Sequence, residues 1–358
     1  MNRNLKNDLL LRACRKQFVP RTPIWIMRQA GRYLPEYQKI RARYDFHTMV
    51  HTPELATKIT LQPVDILDVD AAIIFSDILV VPEALGMKLK FVEGHGPVFE
   101  KPLHSSSEFD RLPSTGVQEN LDFVFQAIQL VKQELNGRIP LIGFAGAPWT
   151  LAAYMVEGHA SKNFARIKSL RYADPELLRK LLHKLSRAVT EFLKGQIDAG
   201  ADVVQIFDSW AGVLTPEDFR EFSLPFLYSI IQSIKASYEV PVILFARGAA
   251  HSYEILAEIG IDVLSISWTD DLGEIRKNVN GRIALQGNLD PCALFAPVHK
   301  IREEVVKVLK KAGSRKGHIF NLGHGILPQT PVMHAKAMVD FVKEESTKLY
   351  TDNPISFG

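Results

Sequence analysis

Val69-Asp70-Ala71-Ala72-Ile73-Ile74-Phe75-Ser76-Asp77 is a continuous apolar run that stops on a hydroxyl and a carboxylate. A strand covered on both faces reads this way, because neither side of it alternates with polar residues. A helical stretch over 54–68 precedes it. The same pairing recurs along the chain, with apolar runs centred near Ile24, Ile73, Ile142, Val204, Ile243, Val263, Ala284 and Ile319, each followed by helical sequence. The spacing predicts strands over 140–145, 203–207, 242–245, 262–266, 283–286 and 318–321. Helices are predicted over 34–44, 121–135, 175–199, 216–237, 253–259, 272–279 and 331–343. Eight strand-then-helix units predict an α/β chain folded as a single eight-stranded parallel β/α (TIM) barrel, one catalytic domain over residues 1–358. A doubly wound open sheet is the competitor, but no Gly-x-Gly-x-x-Gly loop follows any of the runs. Residues 80–113, broken by Gly86, Gly94, Gly96, Pro82, Pro97, Pro102 and Pro113, read as an irregular excursion after the second strand, with Gly94-His95-Gly96-Pro97 as a turn signal.

Composition narrows the class. Hydrophobic residues make up 46% and charged residues 23% of the 358, which excludes general disorder, and a net charge of +3 is too small to point to nucleic acid. Cys14 and Cys292 are the only cysteines, so neither a disulfide framework nor a cysteine-rich metal site is expected. A reducing cytoplasm suits such a chain. Residues 1–16 are basic, but Asp8 interrupts them and they read as a first helix rather than a transit peptide. No apolar run approaches a membrane span.

In a barrel of this kind the chemistry sits where the strands exit. The residues there are Arg28 and Arg32, Asp77, Ser209, Arg247, Trp268, Asn288 and His324, with Tyr154 a little beyond its strand in a loop leading into a short helix. Arg28, Gln29 and Arg32 flank Ala30 and Gly31, whose small side chains let a ligand approach the backbone. Two guanidinium forks four residues apart can hold two acidic groups of one ligand. Each residue also has a plainer reading: the arginines as a charged surface turn, Asp77 as a helix N-cap, His324 as a backbone hydrogen-bonder in a glycine-rich turn, Tyr154 and Trp149 as packing residues. Ser209 lacks a Gly-x-Ser-x-Gly elbow, which argues against a hydrolase nucleophile. Taken jointly on one face of a barrel, the set predicts an enzyme for an acidic substrate.

Met27-Arg28-Gln29-Ala30-Gly31-Arg32-Tyr33-Leu34-Pro35, Phe75-Ser76-Asp77-Ile78-Leu79 and Asn321-Leu322-Gly323-His324-Gly325 resemble the signatures of the uroporphyrinogen decarboxylase family. Gly146-Ala147-Pro148-Trp149-Thr150-Leu151, Tyr154-Met155-Val156-Glu157-Gly158 and Phe207-Asp208-Ser209-Trp210-Ala211-Gly212 extend the resemblance over nearly the whole chain. It implies a cytoplasmic homodimeric barrel, needing no metal or organic cofactor, that removes carbon dioxide from the four acetate arms of uroporphyrinogen III to give coproporphyrinogen III for haem synthesis. It further implies that Arg28, Gln29, Ala30, Gly31, Arg32, Arg41, Asp77, Tyr154, Ser209 and His324 bind this tetrapyrrole. Asp77, Arg28, Arg32, His324 and Tyr154 are the implied catalytic group. The chemistry agrees with the residues. Loss of carbon dioxide leaves an electron pair that needs a sink, and protonating the pyrrole ring creates one within the substrate. One carboxylate at the centre would accept pyrrole N–H bonds and stabilise that cation. The rivals are a corrinoid-linked methyltransferase, which needs a His-x-Cys zinc site that this sequence lacks, and a non-catalytic tetrapyrrole carrier.

Overall fold

The computed structural model describes residues 5–92, 96–113 and 116–352. Its main sheet has seven parallel strands among the described residues: β1 (Ala72–Ile73), β4 (Leu141–Gly146), β5 (Val203–Asp208), β6 (Val242–Ala246), β7 (Val263–Ser265), β8 (Ala284–Gln286) and β9 (His318–Ile319), paired in that order. A separate antiparallel hairpin joins β2 (Leu89–Val92) to β3 (Gly96–Phe99). Alternate residues of the main strands point to opposite sides, as strand geometry requires. On one side Ala71, Ile73, Ile142, Val203, Phe207, Ile243, Phe245, Val263, Ala284 and Ile319 meet in a single cluster with Trp25 and Met27. On the other, Ile74, Leu141, Val204, Leu244 and Leu264 pack with the helices. Strand side chains can meet across their own sheet only if the sheet is curled. The short helix Leu9–Cys14 closes one end of the inner cluster with Leu9, Leu10, Ala13 and Cys14, and burial pushes the Cys14 thiol well above its ordinary value.

One device is repeated at the feet of the strands. Asp70, Asp202 and Asp262 each stand just before a strand, after Asp68, Gly200 and Gly260 with φ of 59°, 125° and 94°. Each returns a backbone N–H to the residue that its carboxylate caps. Asp202 Oδ2 accepts from Leu141 N–H at 2.8 Å while Asp202 N–H donates to Leu141 O at 2.8 Å. Asp262 Oδ2 accepts from Val242 N–H at 2.7 Å, with its own N–H on Val242 O at 3.0 Å. Asp70 treats Ile24 alike, at 2.9 Å and 2.7 Å. A cation completes each: Lys132 on Asp202, Lys235 on Asp262, and on Asp70 the fork of Arg21 at 2.6 and 2.7 Å. On the far side of Ile24, Phe320 N–H donates to Pro23 O at 2.9 Å and Trp25 N–H to Phe320 O at 3.4 Å.

Several sequence expectations need correcting in detail. The run 69–75 forms a strand only at Ala72–Ile73 and 318–321 only at His318–Ile319, with Phe320 adding a single parallel bridge to Ile24; beside them, the Asp70 carboxylate serves Ile24 N–H and Asn321 Oδ1 takes Met27 N–H at 2.9 Å. Of the first helix expected over 1–16, residues 1–4 lie outside the described residues, and within 5–16 the helix is confined to Leu9–Cys14. The stretch 216–237 is two helices, Pro216–Phe222 and Leu224–Lys235, since Pro225 cannot donate within a continuous helix. The last helix, Val332–Asp352, runs well past residue 343, docked by Ser346 on Thr22 N–H at 3.1 Å and by Tyr350 on the Thr22 hydroxyl at 2.6 Å. Helices Ala165–Ala173 and Val298–Ala312 were not marked individually by the apolar spacing. Tyr154 lies inside a ten-residue helix, Pro148–Glu157, which Pro148 starts directly at the strand exit with no intervening loop. Residues 80–113 are not featureless, holding helix Val80–Ala84, the hairpin, and helix Ser106–Arg111 with a Ser105/Glu108 capping box. In the turn signal, Gly94 and His95 lie outside the described residues. No helix among the described residues is long and apolar enough to cross a membrane.

Candidate active site

A cavity of about 360 Å³ opens where the strands exit. Arg28, Gln29, Ala30, Gly31, Arg32, Asp77, Ser209 and His324 all line it, on a floor of Ile73, Phe75, Phe144, Phe207 and Phe245. Four sequence segments far apart in the chain therefore converge on one cleft.

The loop after Ile26 is locked from beneath. Gln29 is fully buried, its amide oxygen accepting from Ile26 N–H at 3.0 Å and its amide nitrogen donating to Ala71 O at 3.0 Å. Its side chain thus holds the loop to the neighbouring strand and is not free to take a ligand. Arg28 then turns outward with φ of +64°, a left-handed conformation that a non-glycine residue holds only under constraint. Its side chain runs over Gly325: a Cβ there would come within 2.3 Å of Arg28 Cδ. Gly323 is equally crowded, since a Cβ would lie 2.1 Å from Trp268 N. The glycines flanking His324 are dictated by these approaches.

Asp77 stands at the exit of β1. Its Oδ1 accepts from Leu79 N–H at 2.7 Å. The Asx turn of the plainer reading is therefore real, but it occupies one oxygen and starts only the short helix Val80–Ala84. Burial pushes the Asp77 carboxyl above its ordinary value, opposed by the Leu79 N–H and the Arg28 guanidinium. His324 Nδ1 accepts from Gly325 N–H at 2.6 Å, which fixes the proton of the neutral ring on Nε2. Burial first, then Arg28 and Arg247, hold its pKa down at about 4. At neutral pH it is an uncharged donor. Among the described residues no carboxylate forms an ion pair with Arg28, Arg32 or Arg247.

Tyr154 and Arg41 are not in the cavity lining. Tyr154 is nonetheless close, its hydroxyl pushed up by burial and by the Asp77 charge, its ring 5.9 Å from Trp210. Arg41 is exposed on the last turn of helix Pro35–Arg41. Asn288 is spent on structure, donating to Ser267 O and Asp270 O at 2.8 Å each. Arg247, named only as a strand-end residue, is likewise not in the cavity lining but stands beside it, its guanidinium 5.8 Å from the Trp268 ring centroid and its charge acting on His324. Its position after Val242–Ala246 was the available signal. Ser76 was missed as well: it lines the cavity with a buried Oγ that has no partner. Asp208, beneath Ser209, is fully buried and accepts from Thr150 and Ser223 hydroxyls at 2.7 Å each. Burial raises its carboxyl to about 6. Neither Cys14 nor Cys292 lines the cleft.

Comparison with solved structures places the fold beside a methyltransferase from Methanosarcina mazei, with a TM-score of 0.79, 21% identity and 95% and 99% of the two chains covered. A B12-independent methionine synthase from Shewanella sp. W3-18-1 superposes with a TM-score of 0.54 at 12% identity, over 82% and 88% of the two chains. Sequence comparison reaches further. The uroporphyrinogen decarboxylase family model matches residues 5–345. Proteins named uroporphyrinogen decarboxylase from Chloroherpeton thalassium and Chlorobaculum parvum are 51% and 49% identical over 350 residues, covering 97% of this chain and 99% and 100% of theirs. With that match running through every segment that lines the cleft, the chain belongs to the uroporphyrinogen decarboxylase family.

Proposed function

We propose that this chain is a uroporphyrinogen decarboxylase, taking carbon dioxide from the four acetate arms of the tetrapyrrole in the haem pathway. The observation that carries the reading is a cleft lined by Arg28 and Arg32, neither ion-paired to a carboxylate, with Asp77 beside Arg28 as a carboxyl that burial pushes above its ordinary value, in a family whose named members do this chemistry. Arg28, Arg32 and Arg247 hold substrate carboxylates, two per pyrrole ring, by charge-assisted bonds. Asp77 uses the oxygen not engaged by Leu79 to accept pyrrole N–H bonds. When the ring carbon next to the one bearing the acetate is protonated, the ring becomes cationic, its positive charge reaching the acetate-bearing carbon, and the Asp77 carboxylate stabilises it. The electron pair of the breaking carbon–carbon bond then flows into the ring and carbon dioxide leaves, and protonation of the new methylene with loss of the proton first added to the ring gives a methyl group on a neutral pyrrole. His324, neutral at its Nε2–H, donates to a carboxylate or ring substituent. Tyr154 completes the wall, Gln29, Ala30 and Gly31 shape the loop, Ser209 adds a hydroxyl, and Arg41 supports the positive field at the rim.

The scaffold in this proposal is one domain, a closed barrel of eight strands with an excursion after the second, working as a cytoplasmic homodimer. Ile24 supports closure: Asp70 caps it as Asp202 and Asp262 cap Leu141 and Val242 at the starts of β4 and β6, and Pro23 and Trp25 bond to Phe320 on the other side. The activity test is anaerobic incubation of purified protein with uroporphyrinogen. Release of carbon dioxide and accumulation of coproporphyrinogen are expected; tight binding without release would leave a carrier instead.

A further inference from the structure

Trp210 follows Ser209 at the exit of β5 and is not in the cavity lining. Its main chain is pinned on both sides by the neighbouring unit. Trp210 N–H donates to the Thr150 hydroxyl oxygen at 3.1 Å, and Trp210 O accepts from the Trp149 indole nitrogen at 3.1 Å. Thr150 in turn donates to the buried Asp208 at 2.7 Å. Trp149 and Thr150 stand in the first turn of helix Pro148–Glu157, which also holds Tyr154. One helix therefore fixes the Trp210 backbone and carries the Tyr154 ring.

The two rings meet, with centroids 5.9 Å apart and planes tilted by 57°, while Phe164 also packs on the indole at 4.7 Å. Trp210 Nε1 is buried and reaches no acceptor at full hydrogen-bond geometry. A buried donor left in that state is costly. The acceptor it faces is the Tyr154 hydroxyl: burial and the Asp77 charge push that hydroxyl up, and the indole N–H pulls it down. Contacts of this kind are often loose before substrate arrives and tighten in the complex.

Donor and acceptor chemistry then sets which way the phenol points. An indole N–H can only donate, so the Tyr154 oxygen accepts from it. Arg28 and Arg247, which also act on this hydroxyl, are donors too. Asp77 is the one acceptor in that set, and it lines the cleft. The phenolic hydrogen is left for the cleft side.

We propose that Trp210 is a positioning residue for the reaction: its indole N–H donates to the Tyr154 hydroxyl oxygen and aims the Tyr154 O–H into the cleft, as a donor to a substrate carboxylate. The assignment rests on the decarboxylase reading of the cleft. Trp210 itself touches no substrate. Without its N–H the phenol is free to rotate, and the productive arrangement is populated less often.

Trp210→Phe keeps an aromatic ring beside Phe164 and removes the N–H. The full-length variant should release carbon dioxide about tenfold more slowly in single turnover, the effect of one hydrogen bond. In a Tyr154→Phe background the same change should have no further effect. An unchanged rate in Trp210→Phe, or an equal slowing in both backgrounds, would overturn the proposal. In isotope-labelled protein, the indole N–H resonance of Trp210 should move upfield and exchange faster with solvent in Tyr154→Phe than in wild type. A resonance indifferent to Tyr154→Phe would place the N–H against the Phe164 ring and overturn the proposal as well. Wild-type protein that releases no carbon dioxide would sink the decarboxylase reading instead, and the indole–phenol bond would still stand or fall by the resonance. Should Trp210→Phe fail to fold, the resonance alone decides.

Discussion

The two ends of the strands use charge in opposite ways. At their feet, the carboxylates of Asp70, Asp202 and Asp262 are each matched by a cation and by a backbone N–H, so their charge is spent holding neighbouring strands together. At the exits, Arg28, Arg32 and Arg247 have no carboxylate ion-pair partner among the described residues, and Arg28 and Arg247 together hold down protonation of His324. Like charges gathered at one cleft repel unless a ligand arrives to neutralise them. Paired charge here reads as stability, and unpaired charge as a site for a polyanion.

The largest expected effect is at the feet. Asp70→Ala leaves the Arg21 fork and Ile24 N–H without their partner, with Asp70 only 1% exposed, and should cost about 3–5 kcal/mol in denaturant unfolding. A loss below about 1 kcal/mol would dissolve the contrast. Asp208 sharpens it, as a buried carboxylate with hydroxyl donors and no cation. Its folded pKa of about 6 lies above the ordinary 3.8, so the native state keeps a proton that the unfolded chain gives up, and stability falls as pH rises from about 4 to about 6. Asp208→Asn should remove that fall, gaining on wild type by up to about 3 kcal/mol across the window; parallel stability curves would reject the assignment. At the exits, Arg32→Lys keeps the charge but loses the fork, and should weaken substrate binding about tenfold with folding unchanged. The smallest effect concerns pH. His324 titrates near 4, below its ordinary 6.5, so it stays neutral from pH 5 to 8. His324→Asn should lower the rate without altering the pH profile there; a wild-type inflection near 6.5 that disappears in the variant would make His324 a proton carrier.

The apolar runs made the order of strands and helices legible, because a buried parallel strand advertises itself by lacking polar alternation. They could not show where side chains bond to a neighbouring backbone, as at Asp70 and Asn321, since that depends on a segment far away in sequence. A short repeat was there to be found: Asp70, Asp202 and Asp262 each open an apolar run, in Val69-Asp70-Ala71, Ala201-Asp202-Val203 and Ile261-Asp262-Val263. In the cleft, Arg28, Arg32, Asp77, Ser209 and His324 were visible from their positions at strand exits. The inward duty of Gln29 was not, because a buried amide and a ligand-binding amide look alike in sequence.

Asp77 tests the account most directly, because a desolvated carboxylate in a cleft built for a polyanion makes sense only if positive charge develops beside it. The measurement is the single-turnover rate of carbon dioxide release by Asp77→Asn, with its melting curve and substrate affinity alongside. The account predicts a protein that melts within about 1 kcal/mol of wild type, because only the Leu79 contact is at stake. Substrate binding should change little and turnover should fall on the order of a hundredfold or more. A well-folded Asp77→Asn protein that releases carbon dioxide at nearly the wild-type rate would contradict it.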